Sequence, residues 1–153
     1  MPAAETELTY FKVESEEGLP EWANRDHVAR FFHETMKPWH DSIADIQRGL
    51  DYAFSRAKGE GGFLLLARRA SHLAGALLML RTGMQGYVPE YLLLVVSVDP
   101  SQRGKGLGTQ IIQRAVAECQ GSVKLHVEYD NPAKRLYERL GFTNKYAEMR
   151  LER

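Results

Sequence analysis

Hydrophobic positions along this chain alternate between a period of two, a period near three and a half, and unbroken runs, and the changes of period mark the elements. Residues 8–13 (LTYFKV) are a short β-prone run and predict a first strand. Gly18 and Pro20 mark a loop. Val28, Phe31, Phe32 and Thr35 recur at helical spacing, predicting a helix from a cap at Asp26 to about Met36, where Pro38 interrupts. A cap at Asp41 or Ser42 begins a second helix through Ile43, Ile46, Leu50, Ala53 and Phe54. After the break at 58–62 (KGEGG), two apolar runs, 63–67 and 73–80, predict a strand pair.

Residues 91–98 (YLLLVVSV) are apolar almost throughout, as expected of a central strand covered on both faces. The stretch 106–120 is amphipathic and helical, with Leu107, Ile111, Ile112, Ala115, Val116 and Cys119 as its buried stripe. Residues 123–128 alternate strictly and predict another strand. Asn131-Pro132 opens a final helix that Gly141 stops, and 143–151 reads as one more strand. The order β-α-α-β-β-β-α-β-α-β predicts an α/β (α+β) layer structure, a mixed sheet with helices on its faces, in a single domain spanning residues 1–153.

Composition narrows the function classes. Of 153 residues, 44% are hydrophobic and 26% charged, ordinary for a globular protein. Lys plus Arg total 20 and Asp plus Glu total 20, so no global basic field exists to draw in nucleic acid. Cys119 is the one cysteine, which excludes an intramolecular disulfide and suits a cytoplasmic, core-packed thiol. The polar N-terminus lacks the features of a signal peptide, and no apolar stretch is long enough to span a membrane, so no membrane partner is expected. His27, His33, His40 and His72 have no metal-ligand spacing, so no metal site is expected.

The chemistry-bearing segment is Asp99-Pro100-Ser101-Gln102-Arg103-Gly104-Lys105-Gly106-Leu107-Gly108-Thr109, between the buried strand and the amphipathic helix. Its glycines leave backbone N–H groups unshielded, and the helix start adds orphan donors and a positive dipole end; together these favour a phosphate. Arg103 and Lys105 add charge, and Thr109 a hydroxyl donor. A Walker loop needs four residues between its first Gly and Gly-Lys-Ser/Thr, which this spacing lacks. The dinucleotide fingerprint fails at Thr109 and follows a late strand rather than a first one. The coenzyme A pattern, Arg/Gln-x-x-Gly-x-Gly/Ala, fits from Arg103 to Gly108.

With Asn131-Pro132-Ala133 and Leu136-Tyr137…Gly141-Phe142 following at set spacing, the chain resembles the GNAT superfamily of N-acetyltransferases. The two segments cover about a third of the chain; the N-terminal half, which shapes the acceptor pocket in that family, matches only in outline. The resemblance implies a GNAT-like, mostly antiparallel sheet whose strands splay at the coenzyme site, acetyl-CoA as co-substrate, and a small-molecule or peptide amine as acceptor. A homodimer is compatible with it. By resemblance, Val96, Ser97 and Val98 pair with the pantetheine arm, the amides of Arg103, Gly104, Lys105, Gly106, Leu107, Gly108 and Thr109 wrap the pyrophosphate, Asn131 contacts the coenzyme arm, and Tyr137 sits near the thioester sulfur.

The implied chemistry is direct attack of an amine on a thioester. It needs a proton acceptor, an oxyanion donor such as a backbone N–H of 91–98, and a donor at the departing sulfur, the role of Tyr137. Glu90, just before the central strand, is the first choice of base; Tyr87, His126, Glu128 and a water chain are alternatives, and Trp22, Trp39 and Tyr87 are candidate walls of an acceptor pocket. Two other classes remain: a non-catalytic acyl-CoA sensor or scaffold, and an NAD-dependent enzyme.

Overall fold

The computed structural model describes residues 7–153. Its elements are β1 (Leu8–Val13), α1 (Arg25–Thr35), α2 (Ile43–Ala53), β2 (Gly62–Arg69), β3 (His72–Arg81), β4 (Tyr91–Val98), α3 (Leu107–Ala117), β5 (Val123–Leu125) and α4 (Ala133–Arg139), with short 3-10 turns at Glu16–Gly18, Glu21–Ala23 and Pro100–Gln102. The five strands form one sheet in sequence order. The pairs β1–β2, β2–β3 and β3–β4 are antiparallel, and β4–β5 is parallel. The expected mixed, mostly antiparallel α/β sheet is therefore what the chain forms.

Side-chain alternation along β2 and β3 sorts the core into two layers. Leu64, Leu66, Leu78 and Leu80 face α1 and α2, meeting Val28, Phe32, Ile46 and Leu50. Leu65, Ala67, Leu77 and Met79 face α3, meeting Leu107, Ile111, Ile112 and Ala115. Both faces are covered, which is why these strands read as unbroken apolar runs. Asn24, not Asp26, caps α1, its side chain accepting from the His27 amide at 2.9 Å. Ser42 caps α2 by accepting from the Asp45 amide at 3.1 Å.

Two features of β4 position the site. Opposite β3, Leu78 pairs with Val95 but Met79 pairs with Leu93, so Leu94 is an extra, bulged residue with no partner. The bulge shifts the phase of the strand. Leu92, Leu94 and Val95 lie in the α1/α2 layer, whereas Tyr91, Leu93, Val96 and Val98 lie in the α3 layer. Opposite β5, pairing runs only through Tyr91–Val123, Leu92–Lys124 and Leu93–Leu125. Beyond Leu93 the pairing of the two parallel strands ends, so among the described residues the 94–98 edge of β4 has no strand neighbour on that side.

The last expected strand does not form. Residues 143–151 lie outside any strand or helix, and β5 stops at Leu125 rather than Glu128. The alternation at 146–151 is real, but its apolar members are not buried: Met149 is 90% and Leu151 82% exposed. A period-two pattern specifies a strand only where one face finds a core.

Candidate functional site

The site begins where β4 ends. Asp99 accepts from the Ser101 amide at 2.9 Å and from its hydroxyl at 2.5 Å. Those bonds hold its carboxyl below the ordinary aspartate range. The chain then makes the 3-10 turn and passes through Gly104 and Gly106, both in the left-handed region at φ +78° and +81°, before α3 begins at Leu107. Leu107 is buried and anchors the helix start in the core. A Cβ built at Gly104 or Gly106 would meet nothing within 4 Å, so both face open space. Gly108 differs: a Cβ there would lie 3.5 Å from Leu136 of α4. That is an ordinary van der Waals distance, so close packing does not require a glycine there, while the first two glycines bare the backbone.

Among the described residues, the N–H groups of Gly104, Lys105, Gly106, Leu107, Gly108 and Thr109 meet no backbone or side-chain acceptor. Six consecutive free donors beside a helix start are an arrangement chemically suited to an anion. Lys105 is exposed beside it. Arg103 behaves otherwise than its charge suggests. Its Nη2 donates to the Thr35 carbonyl at 2.5 Å and its Nε to the Val98 carbonyl at 3.2 Å, so the guanidinium ties the loop to the last residue of α1.

The open edge of β4 leads away from these amides. Val96 and Val98 pair with Leu77 and Gly75 of β3 and face no strand on the other side. Ser97 is buried, with its hydroxyl 2.7 Å from that of Thr35, which also donates to the Phe31 carbonyl at 2.6 Å. Across the gap stands α4. Asn131 accepts from the Ala133 amide at 2.9 Å and so opens the helix. Tyr137 packs edge-on against Phe142 at 5.9 Å, within the α3 layer that also holds Leu125 and Leu93. Burial pushes its phenol up to about 12.

The candidate bases separate. Glu90 precedes β4 and accepts from the Ser122 amide at 3.1 Å, its chain packed beside Gly121 at the start of β5. At ~3.3 Å per residue, that is about 13 Å along the strand from Leu94. His126 directly follows the last paired residue, Leu125, and so stands at the fork itself. The residue is exposed; the desolvation that remains lowers its pKa, Lys124 and Arg150 act the same way, and Glu148 opposes them. Glu128 and Tyr87 are exposed. Trp22 packs on Phe11 in the α1/α2 layer, away from the fork, whereas Trp39 donates from Nε1 to Asp130 at 3.2 Å beside it. This indole–carboxylate bridge links residues 91 positions apart, and periodicity gives no sign of it. Cys119 is half-buried, its thiol pushed up to about 11 by burial, and takes no part in the cleft.

Two open hollows lie elsewhere, about 340 Å³ along 55–62 and about 570 Å³ at the start of α1. The candidate site is the gap that opens where β4–β5 pairing stops at Leu93 and Leu125, with the free amides of 104–109 at one end. Among the described residues no group of three His, Cys, Asp or Glu side chains could hold a metal ion, and no helix is long and apolar enough to cross a membrane.

Comparison with known proteins matches residues 17–142 to the model of the acetyltransferase (GNAT) family. No curated protein matches the sequence significantly. Among solved structures, a protein described as a GNAT-family acetyltransferase from Desulfovibrio desulfuricans superposes with a TM-score of 0.68 at 18% identity, covering 92% of this chain and 87% of that one. One described as an acetyltransferase from Clostridium difficile 630 gives 0.65 at 14%, covering 95% and 97%. An aminoglycoside acetyltransferase from an uncultured soil metagenomic sample, solved with sisomicin, gives 0.60 at 15%, covering 95% of each chain. At these identities the superpositions establish a shared fold.

Proposed function

This chain belongs to the acetyltransferase (GNAT) family, and we propose that it transfers an acetyl group from acetyl-CoA to a primary amine by direct attack. The observation that carries this reading is the run of six unpartnered amides from Gly104 to Thr109, opening onto the unpaired edge of β4. The donors and the space left by Gly104 and Gly106 suit a pyrophosphate, and the Val96–Val98 edge suits an extended amide-bearing arm, which would pair with it as an added strand. The coenzyme supplies an acyl thioester.

The chain's own groups do the rest. Leu94 pairs with neither neighbouring strand, so its backbone N–H is the leading oxyanion donor. Tyr137 stands ready as a donor to the departing sulfur. A phenol at about 12 protonates a thiolate of ordinary pKa near ~8.5 only uphill, so its contribution is a hydrogen bond rather than a completed transfer. For the amine proton, His126 is better placed than Glu90. It stands at the fork and is biased toward its neutral, proton-accepting form, while Glu90 acts through water from the far end of the β4–β5 pair.

Calorimetric titration with acetyl-CoA, paired with a thiol-release assay across a panel of amines that includes an aminoglycoside, tests the proposal. Binding with acceptor-dependent release is the expected result. Binding without release on any amine would instead support an acyl-CoA sensor or scaffold, and nicotinamide-nucleotide binding without CoA affinity an NAD-dependent enzyme.

A further inference from the structure

The two arms that part beyond Leu93 and Leu125 are rejoined by a third piece of chain. Segment 35–39, which leaves the end of α1, touches both. At its first residue it is fixed to the β4 arm: Arg103 Nη2 donates to the Thr35 carbonyl at 2.5 Å, and the Thr35 and Ser97 hydroxyls lie 2.7 Å apart. Arg103 is itself held by the Val98 carbonyl at 3.2 Å. At its last residue the segment reaches the β5 arm through one side-chain bond, Trp39 Nε1 to Asp130 Oδ1 at 3.2 Å. Asp130 directly precedes Asn131, which opens α4. Ser97 lies four residues past the fork on one arm and Asp130 five past it on the other.

We infer that segment 35–39 is a strap across the mouth of the β4–β5 fork, hinged at Thr35–Ser97–Arg103 and latched by Trp39–Asp130. The asymmetry of its anchors gives the direction of movement. The hinge is a network of three bonds with the buried Ser97 at its centre. The latch is a single bond on an exposed carboxylate, so it releases first. This inference rests on the acyl-transfer reading, which places a thioester in the gap below the strap. Closed, the strap covers that carbonyl with an indole and keeps bulk water out; open, it admits the acceptor amine. Trp39 and Asp130 are thereby positioning residues for transfer over hydrolysis. In the hydrolytic leak, water attacks the acetyl carbonyl, the C–S bond breaks, and acetate and free CoA leave.

The test compares wild type with Asp130→Ala, Asp130→Asn and Trp39→Phe. Asp130→Asn keeps a carbonyl oxygen for the indole N–H, whereas the other two remove one partner. Hydrogen exchange of the Trp39 amide, which donates to the Met36 carbonyl at 2.9 Å, reads the latch alone in protein without ligand. Exchange about tenfold faster in Asp130→Ala and Trp39→Phe, with wild-type rates in Asp130→Asn and unchanged protection of α1, is the expected result. With acetyl-CoA and no amine, thiol release should rise several-fold in the same two variants while the Kd for acetyl-CoA stays within about twofold. Unchanged exchange, or equal leakage in all four proteins that bind acetyl-CoA, overturns the strap. Wild type that fails to bind acetyl-CoA overturns the coenzyme reading instead, and the exchange rates then decide the latch by themselves.

Discussion

Gly106 sits at φ +81° with open space where a side chain would project. A β-branched residue there is strained by its backbone, at a cost of about 1–2 kcal/mol, and its methyls enter the space proposed for phosphate. Gly106→Val is expected to weaken acetyl-CoA binding at least ~10-fold by calorimetry; unchanged affinity would remove the glycine loop from the coenzyme site. Tyr137→Phe removes a donor and almost no volume. Losing one bond to a charged group costs about 1.5–3 kcal/mol, so kcat should fall ~10–100-fold while coenzyme affinity stays within about twofold. Because burial pushes this phenol to about 12, no alkaline limb below pH 10 should belong to it. His126 carries the opposite signature. Its lowered pKa means that activity falls as acid converts the neutral ring to imidazolium, with a midpoint below the ordinary ~6.5. His126→Gln should abolish that acid limb; an unaltered pH–rate profile would return the base role to Glu90.

At the level of elements, the bulge in β4 is the decisive irregularity. It turns the strand over at Leu94, so that Val96 and Val98 face α3 while Ser97 reaches α1. A regular strand would have kept its alternation and put Ser97 on the α3 face instead. The neighbouring hairpin is held to its register by close backbone contact. At Gly62, φ is +150° and a Cβ would fall 2.0 Å from the Met79 carbonyl oxygen. Backbone cannot yield as the end of a flexible side chain does, so Gly62→Ala should cost more than ~2 kcal/mol. Urea denaturation measures it, and a midpoint equal to wild type would mean that β2 and β3 are looser than their pairing implies.

Across the whole molecule, the C-terminal segment passes near His126 and Asp41 with Met149 and Leu151 outward. Glu148 and Arg150 lie close enough to bias His126, and Arg150 also faces Asp41. Removing residues 147–153 deletes exposed side chains and should cost under ~1 kcal/mol of stability. It should nonetheless move the acid limb of activity to lower pH. Glu148 raises the His126 pKa more than Arg150 lowers it, and both leave together. A limb that stays put or moves upward would show that the tail has no electrostatic hold on the fork. The sequence by itself determined the element order through β5 and α4, the two-sided cover of β4 and the place of the glycine loop before α3, because local periodicity and backbone freedom suffice for these. Only the tertiary structure decided the bulge at Leu94, the turning of Arg103 toward Thr35, the Trp39–Asp130 bridge, and the tail at 143–151 staying out of the sheet. Each of these depends on what a residue meets across a long loop, and a chain read one neighbour at a time carries no record of that meeting.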